Sequence, residues 1–142
     1  MITFIIYFLA VAVLGLIVLL RGRDEHVERN KTVRWLLIAG LIIMGLQAMF
    51  YLIFAIGEMA GGNMSGAEHL VPVLAIVLLG LLVWRQPLQG GGLILLAGSF
   101  ILVFFGLDAL IITWPMPVAG ILLITGAILG RRTTTHGTGH KV

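Results

Sequence analysis

The chain has 142 residues, 60% of them hydrophobic and only 11% charged, with a mean hydropathy of +1.14. Soluble domains run at about 45–50% apolar and about 25% charged. A soluble enzyme, a disordered regulator and a nucleic-acid-binding domain are therefore excluded, because a fold of this size cannot hide so much apolar surface from water. The net charge is +3 and cysteine is absent, which removes disulfides, thiolate metal sites and cysteine nucleophiles.

Residues 1–20 carry no charged side chain and span about 30 Å at helical rise, the hydrocarbon thickness of a bilayer. Ala10-Val11-Ala12 has the composition of a signal-peptide cleavage site. No basic segment precedes it and the apolar run continues beyond it, so a retained helix is expected. Residues 21–34 follow as a solvated, charged connection with five Lys/Arg and three acids. Arg21–Glu25 and Glu25–Arg29 have the i,i+4 spacing that supports a helical extension there.

The second span is expected at 35–57, with Gln47 and Tyr51 as its polar members. Ser65 and Glu68 then form S-x-x-E before an apolar run, a capping-box pattern. This starts a third helix near Ser65 and carries it over 65–84, with Pro72 inside it as a kink. Residues 85–92 read as a turn marked by Pro87 and three glycines. Residues 93–130 are about 38 residues of apolar chain, too long for one span and about right for two. The break is Trp114-Pro115-Met116-Pro117, giving a fourth span at 93–113 and a short fifth at 117–130. Residues 131–142 read as a flexible cytoplasmic tail.

Five spans place all nine Lys and Arg on one side and none on the other. An even number would put Arg131 and Arg132 on the wrong side. The positive-inside tendency then sets the N-terminus outside and the C-terminus in the cytoplasm. Trp35, Trp84 and Trp114 all fall at span ends, where indoles favour the interface. Each span also carries Gly or Ala for close helix approach, and Gly126-x-x-x-Gly130 is the one strict GxxxG within a span. The expected fold is an all-α bundle of five transmembrane helices forming a single domain over 1–130.

Asp108 is the residue most open to a functional role. It lies about 7–8 Å from the outer end of the fourth span. A carboxylate at that depth should face the bundle and find a partner. Two readings stand: contact with His69, directly or through water, or bonding to local backbone, Thr113 or interfacial water. Glu58, Glu68, His69 and Asp108 share the outer level, but lack the tight spacing of a metal site. Glu68 is accounted for as a cap, so no metal is expected. Gln47 needs a partner from another helix, as packing or as the lining of a path. Tyr7 and Tyr51 belong to the same interior, while Ser99 and Thr125 can bond their own helices. His26, His69, His136 and His140 do not face one another across a span pair. No haem or other cofactor is therefore expected. No nucleophile with a base, phosphate loop or zinc-protease motif is present.

His69-Leu70-x-Pro72 opening a span, Trp84-Arg85 closing it, Gly90-Gly91 opening the next, and a Pro-Pro turn before a Gly-containing last helix form one pattern. From His69 to Gly130 the chain resembles short bacterial multi-pass membrane proteins of uncharacterised function. That resemblance implies a compact helical membrane domain in a bacterial cytoplasmic membrane and carries no catalytic role. The expected function is a non-enzymatic structural or accessory subunit of a membrane assembly, with the bilayer and other subunits or further copies as partners. The alternative is a small oligomeric transporter or channel with a polar path near Gln47, His69 and Asp108. A lipid-directed enzyme using the outer Glu/His/Asp rim is the third reading.

Overall fold

The computed structural model describes residues 2–22, 30–105 and 114–136. Among them there are five α-helices, one 3-10 helix and no strand. The helices are α1 (Ile2–Arg21), α2 (Lys31–Ala60), α3 (Leu70–Arg85), α4 (Pro87–Phe105) and α5 (Pro115–His136). The 3-10 helix (Met64–His69) joins α2 to α3. Two segments, Lys31–Ala60 and Met64–Arg85, are long and apolar enough to cross a membrane. Shorter apolar stretches lie in the other three helices, at Ile5–Arg21, Pro87–Val103 and Pro115–Arg131.

Helices α2, α3, α4 and α5 form a ring of neighbours, and α1 packs outside it on α3 with an edge on α4. Glycines set the close approaches. A Cβ on Gly40 of α2 would stand 2.7 Å from Leu123 of α5, and one on Gly120 would stand 2.7 Å from the Leu95 backbone of α4. Gly126 faces Leu36 and Leu37 of α2, so this half of the GxxxG pair packs within the chain. Gly15 lies beside Leu79 and Gly22 beside Gln86. The offset is the same in both pairs, so α1 and α3 run parallel. Leu79, Leu82, Ile94, Ile101 and Leu123 fill the interior.

Several boundaries differ from those expected. Helix α2 begins at Lys31 because the Asn30 side chain accepts the Val33 amide at 2.9 Å, capping residues assigned to the loop. The Arg21–Glu25 and Glu25–Arg29 pairs lie outside the described residues. The Ser65–Glu68 capping box does not form. Asn63 caps the 3-10 helix instead, accepting the Ser65 amide at 3.1 Å. Gly62 precedes it at φ +81°, the left-handed turn that ends α2. Helix α3 then starts at Leu70, which puts Pro72 in its first turn. The amide missing there has no helical partner to lose, so the expected interruption at Pro72 has no cause.

The expected turn at 85–92 shrinks to a single residue. The Gln86 amide bonds to the Leu82 carbonyl at 2.6 Å, ending α3, and its own carbonyl accepts the Gly90 amide at 2.8 Å, starting α4. Pro87 takes the first helical position, which suits its fixed φ. Gly90 and Gly91 are helical, because so sharp a corner presses the first turn of α4 against Val83 and α5.

Helix α5 likewise starts earlier and ends later than expected. Pro115 and Pro117 both sit in its first turn, where missing amides cost no helical bond. The helix continues to His136, six residues beyond the expected end at Gly130. Its 22 residues reach about 33 Å, of which the apolar part is Pro115–Arg131. Of the fourth span, residues 106–113 lie outside the described residues.

This arrangement sorts the charges. Arg21 and Arg85 end the parallel helices α1 and α3, while Lys31 and Arg34 start the antiparallel α2. Arg131 lies beyond Gly126 on α5, at the same end. Glu58, Glu68 and His69 occupy the opposite end.

Candidate functional site

The polar residues singled out by the sequence divide between the acidic end and the middle of the bundle. At the acidic end, Glu58 stands in the last turn of α2 and accepts two contacts from the 3-10 helix. Ser65 Oγ donates to Glu58 Oε2 at 3.3 Å, and His69 Nε2 lies 3.4 Å from Glu58 Oε1. The Glu58–His69 pair is an ion pair only when the imidazole is protonated. Both side chains are about one-third exposed, so water screens the attraction.

The geometry follows from local sequence. Gly61 and Gly62 reverse the chain after α2, and Asn63 starts the 3-10 turn. Gly66 then lies so close to α2 that a Cβ would stand 2.7 Å from the Ala55 carbonyl. Only glycine brings Ser65 and His69 within reach of Glu58. The Phe54 ring lies against His69, with centroids 6.2 Å apart.

This cluster forms a latch rather than a catalytic triad, because Ser65 bonds to the carboxylate and not to the imidazole. Glu68 Oε2 is buried and has no hydrogen-bond partner among the described residues. Among those residues, no three His, Asp or Glu side chains gather around a point where a metal could sit. Asp108 and the expected Asp108–His69 contact lie outside the described residues.

Gln47 is buried in mid-α2, about 16 Å along the helix from Glu58. It is not brought together with His69 or Glu68. Its amide faces the buried Tyr51 hydroxyl one turn later. Tyr51 packs edge-on against Phe8 of α1, whose neighbour Tyr7 stacks on Phe100 of α4 at 4.7 Å. The Tyr7 hydroxyl donates to the Ala97 carbonyl at 2.7 Å. Tyr7 and Tyr51 thus belong to one aromatic seam that joins α1, α2 and α4. Thr125 bonds back to the Ile121 carbonyl at 2.8 Å, within its own helix.

Sequence reasoning missed Gln86. It is fully buried, pressed against Gly22, and both amide atoms lack a partner among the described residues. A glutamine between Arg85 and Pro87 reads as a solvated turn residue. The one available signal was the glycine run after it, which requires a close helix corner. No family model, curated protein or solved structure matches the chain.

Proposed function

We propose that the chain is a five-span protein of a bacterial cytoplasmic membrane, N-terminus outside and C-terminus inside, and that it serves as a non-enzymatic accessory subunit of a membrane assembly. The observation that carries this reading is the outer surface of the bundle. Leu20, Leu46, Leu74, Leu96 and Ile121, one on each helix, are all more than half exposed. Only 22% of the most apolar stretch of α2 is buried, the reverse of a core helix in a water-soluble fold. Described charges keep to the ends, with Lys and Arg at one of them, which fits the positive-inside tendency. Exposed Trp35, Trp84 and Trp114 near helix ends fit an interfacial belt.

The subunit reading is favoured over a transport path by what lies between Gln47 and the basic end. Leu79, Leu82, Ile94 and Leu123 are fully buried there and present no polar group. Lipid tails are as apolar as leucine, so an apolar outer face gains little by self-association alone. Small-residue and polar contacts with a partner must supply specificity.

Two reporters fused after Val142 test the topology. Green fluorescent protein should fluoresce and alkaline phosphatase should stay inactive. The opposite pattern overturns the five-span arrangement. Gentle extraction from native membrane should bring a second polypeptide through size-exclusion chromatography with the chain. A lone monomer overturns the subunit role.

A further inference from the structure

We infer that the cleft between the start of α2 and the end of α3 is a binding site for an anionic phospholipid, an inference that rests on the membrane reading above. The cleft has a volume of about 430 Å³ and is lined by Arg34, Leu37, Ile38, Leu41, Val83 and Trp84. That volume falls within the roughly 300–1,000 Å³ typical of small-molecule sites.

The lining has the polarity of a lipid, arranged along one axis. Arg34, Leu37, Ile38 and Leu41 follow i, i+3, i+4, i+7 spacing and form one stripe of α2. Arg34 stands at the basic end, and the stripe descends about 10 Å from it to Leu41, into the apolar level of the bundle. Val83 closes the floor from α3, and the exposed Trp84 ring forms the far rim. A phosphodiester at Arg34 would therefore have its acyl chain directed along Leu37, Ile38 and Leu41, with the Trp84 indole at headgroup level. Arginine presents a planar set of donors suited to a phosphate oxygen pair.

Charge complementarity selects the anionic class. Lys31, Arg85 and Arg131 share this end, and no acid lines the cleft among the described residues. A zwitterionic headgroup would bring its ammonium into the same positive field. Basic pockets between helices at the cytoplasmic face commonly recognise anionic headgroups.

Trp84 supplies the readout. A Trp35→Phe, Trp114→Phe background leaves it as the sole tryptophan of the three in the chain. The purified protein is placed in nanodiscs of phosphatidylcholine doped with brominated phosphatidylglycerol or, separately, brominated phosphatidylcholine. The anionic lipid should quench Trp84 at about five-fold lower mole fraction than the neutral one. Arg34→Gln should abolish this preference with unchanged helicity by circular dichroism, since the residue is exposed. Lys31→Gln, which removes a charge at the same end but outside the cleft, should retain most of it. Equal quenching by both lipids overturns the site, as does a preference that survives Arg34→Gln. Equal loss in both variants also overturns it, since that is the behaviour of a diffuse field. If neither lipid quenches and the protein stays in solution without detergent, the membrane reading itself fails.

Discussion

The Tyr7 hydroxyl donates a 2.7 Å hydrogen bond to the Ala97 carbonyl, tying the peripheral helix α1 to α4 across 90 positions of sequence. The same ring stacks on Phe100 with an interplanar angle of 3°. Helix α1 lies outside the ring of four, so these contacts weigh heavily in its docking. Tyr7→Phe keeps the stack and removes the bond. It should destabilise by about 0.6–1.7 kcal/mol, the range for polar contacts between membrane helices. Tyr7→Ala removes both and should cost more. Denaturation in mixed detergent micelles measures each, and a Tyr7→Phe protein as stable as the parent would remove the bond from the account.

Glycines on packed and open faces should respond oppositely to alanine. At Gly120 the new Cβ would stand 2.7 Å from the Leu95 backbone nitrogen, and backbone has little room to move. Gly120→Ala should destabilise by about 1–3 kcal/mol. At Gly45 and Gly80 no atom stands within 4 Å. Alanine there should stabilise by up to about 1 kcal/mol through helix propensity. Thermal unfolding of the three variants checks the sign of each effect, and a destabilised Gly80→Ala contradicts the packing.

The latch at the acidic end should govern local order more than global stability. Glu58→Gln leaves an acceptor for Ser65 but removes the charge facing His69. Because both partners are about one-third exposed, the loss should stay within about 0–1 kcal/mol. Gly66→Ala should be worse, since its Cβ would meet the Ala55 carbonyl and lift the 3-10 helix from α2. Hydrogen exchange of amides 61–69 should quicken in both variants and more in Gly66→Ala. Unchanged exchange in Gly66→Ala would show that the segment does not rest on α2.

Gln86 offers a stabilising substitution. Its side chain is fully buried with both amide atoms lacking partners among the described residues. A buried polar group without a hydrogen bond costs about 1–3 kcal/mol. Gln86→Met keeps the approximate shape without the amide and should raise the unfolding midpoint. Gly22→Ala should lower it, because any Cβ collides with the Gln86 side chain. A lowered midpoint in Gln86→Met would indicate that the amide holds an interaction essential to the corner.

Composition and periodicity were enough to read an all-α chain with five apolar helices, because a residue's transfer cost depends on its own chemistry and on run length. The first helix was read almost to the residue for that reason. The grouping of the described Lys and Arg at one end was legible too, since it follows from how many helices separate the charged segments.

Helix ends and the latch were decided elsewhere. Prolines at 72, 87, 115 and 117 read as interruptions or breaks, yet all four occupy first turns, where an absent amide goes unmissed. The run Gly90-Gly91-Gly92 read as part of a turn, yet two of its glycines are contact surfaces for Val83 and Leu123. The carboxylate that holds His69 belongs to the preceding helix, and the aromatic seam from Phe100 to Tyr51 draws on three. Which side chains meet is a property of how helices lie against one another. A one-dimensional pattern states how apolar each face is, and only the packed bundle determines which neighbour covers it.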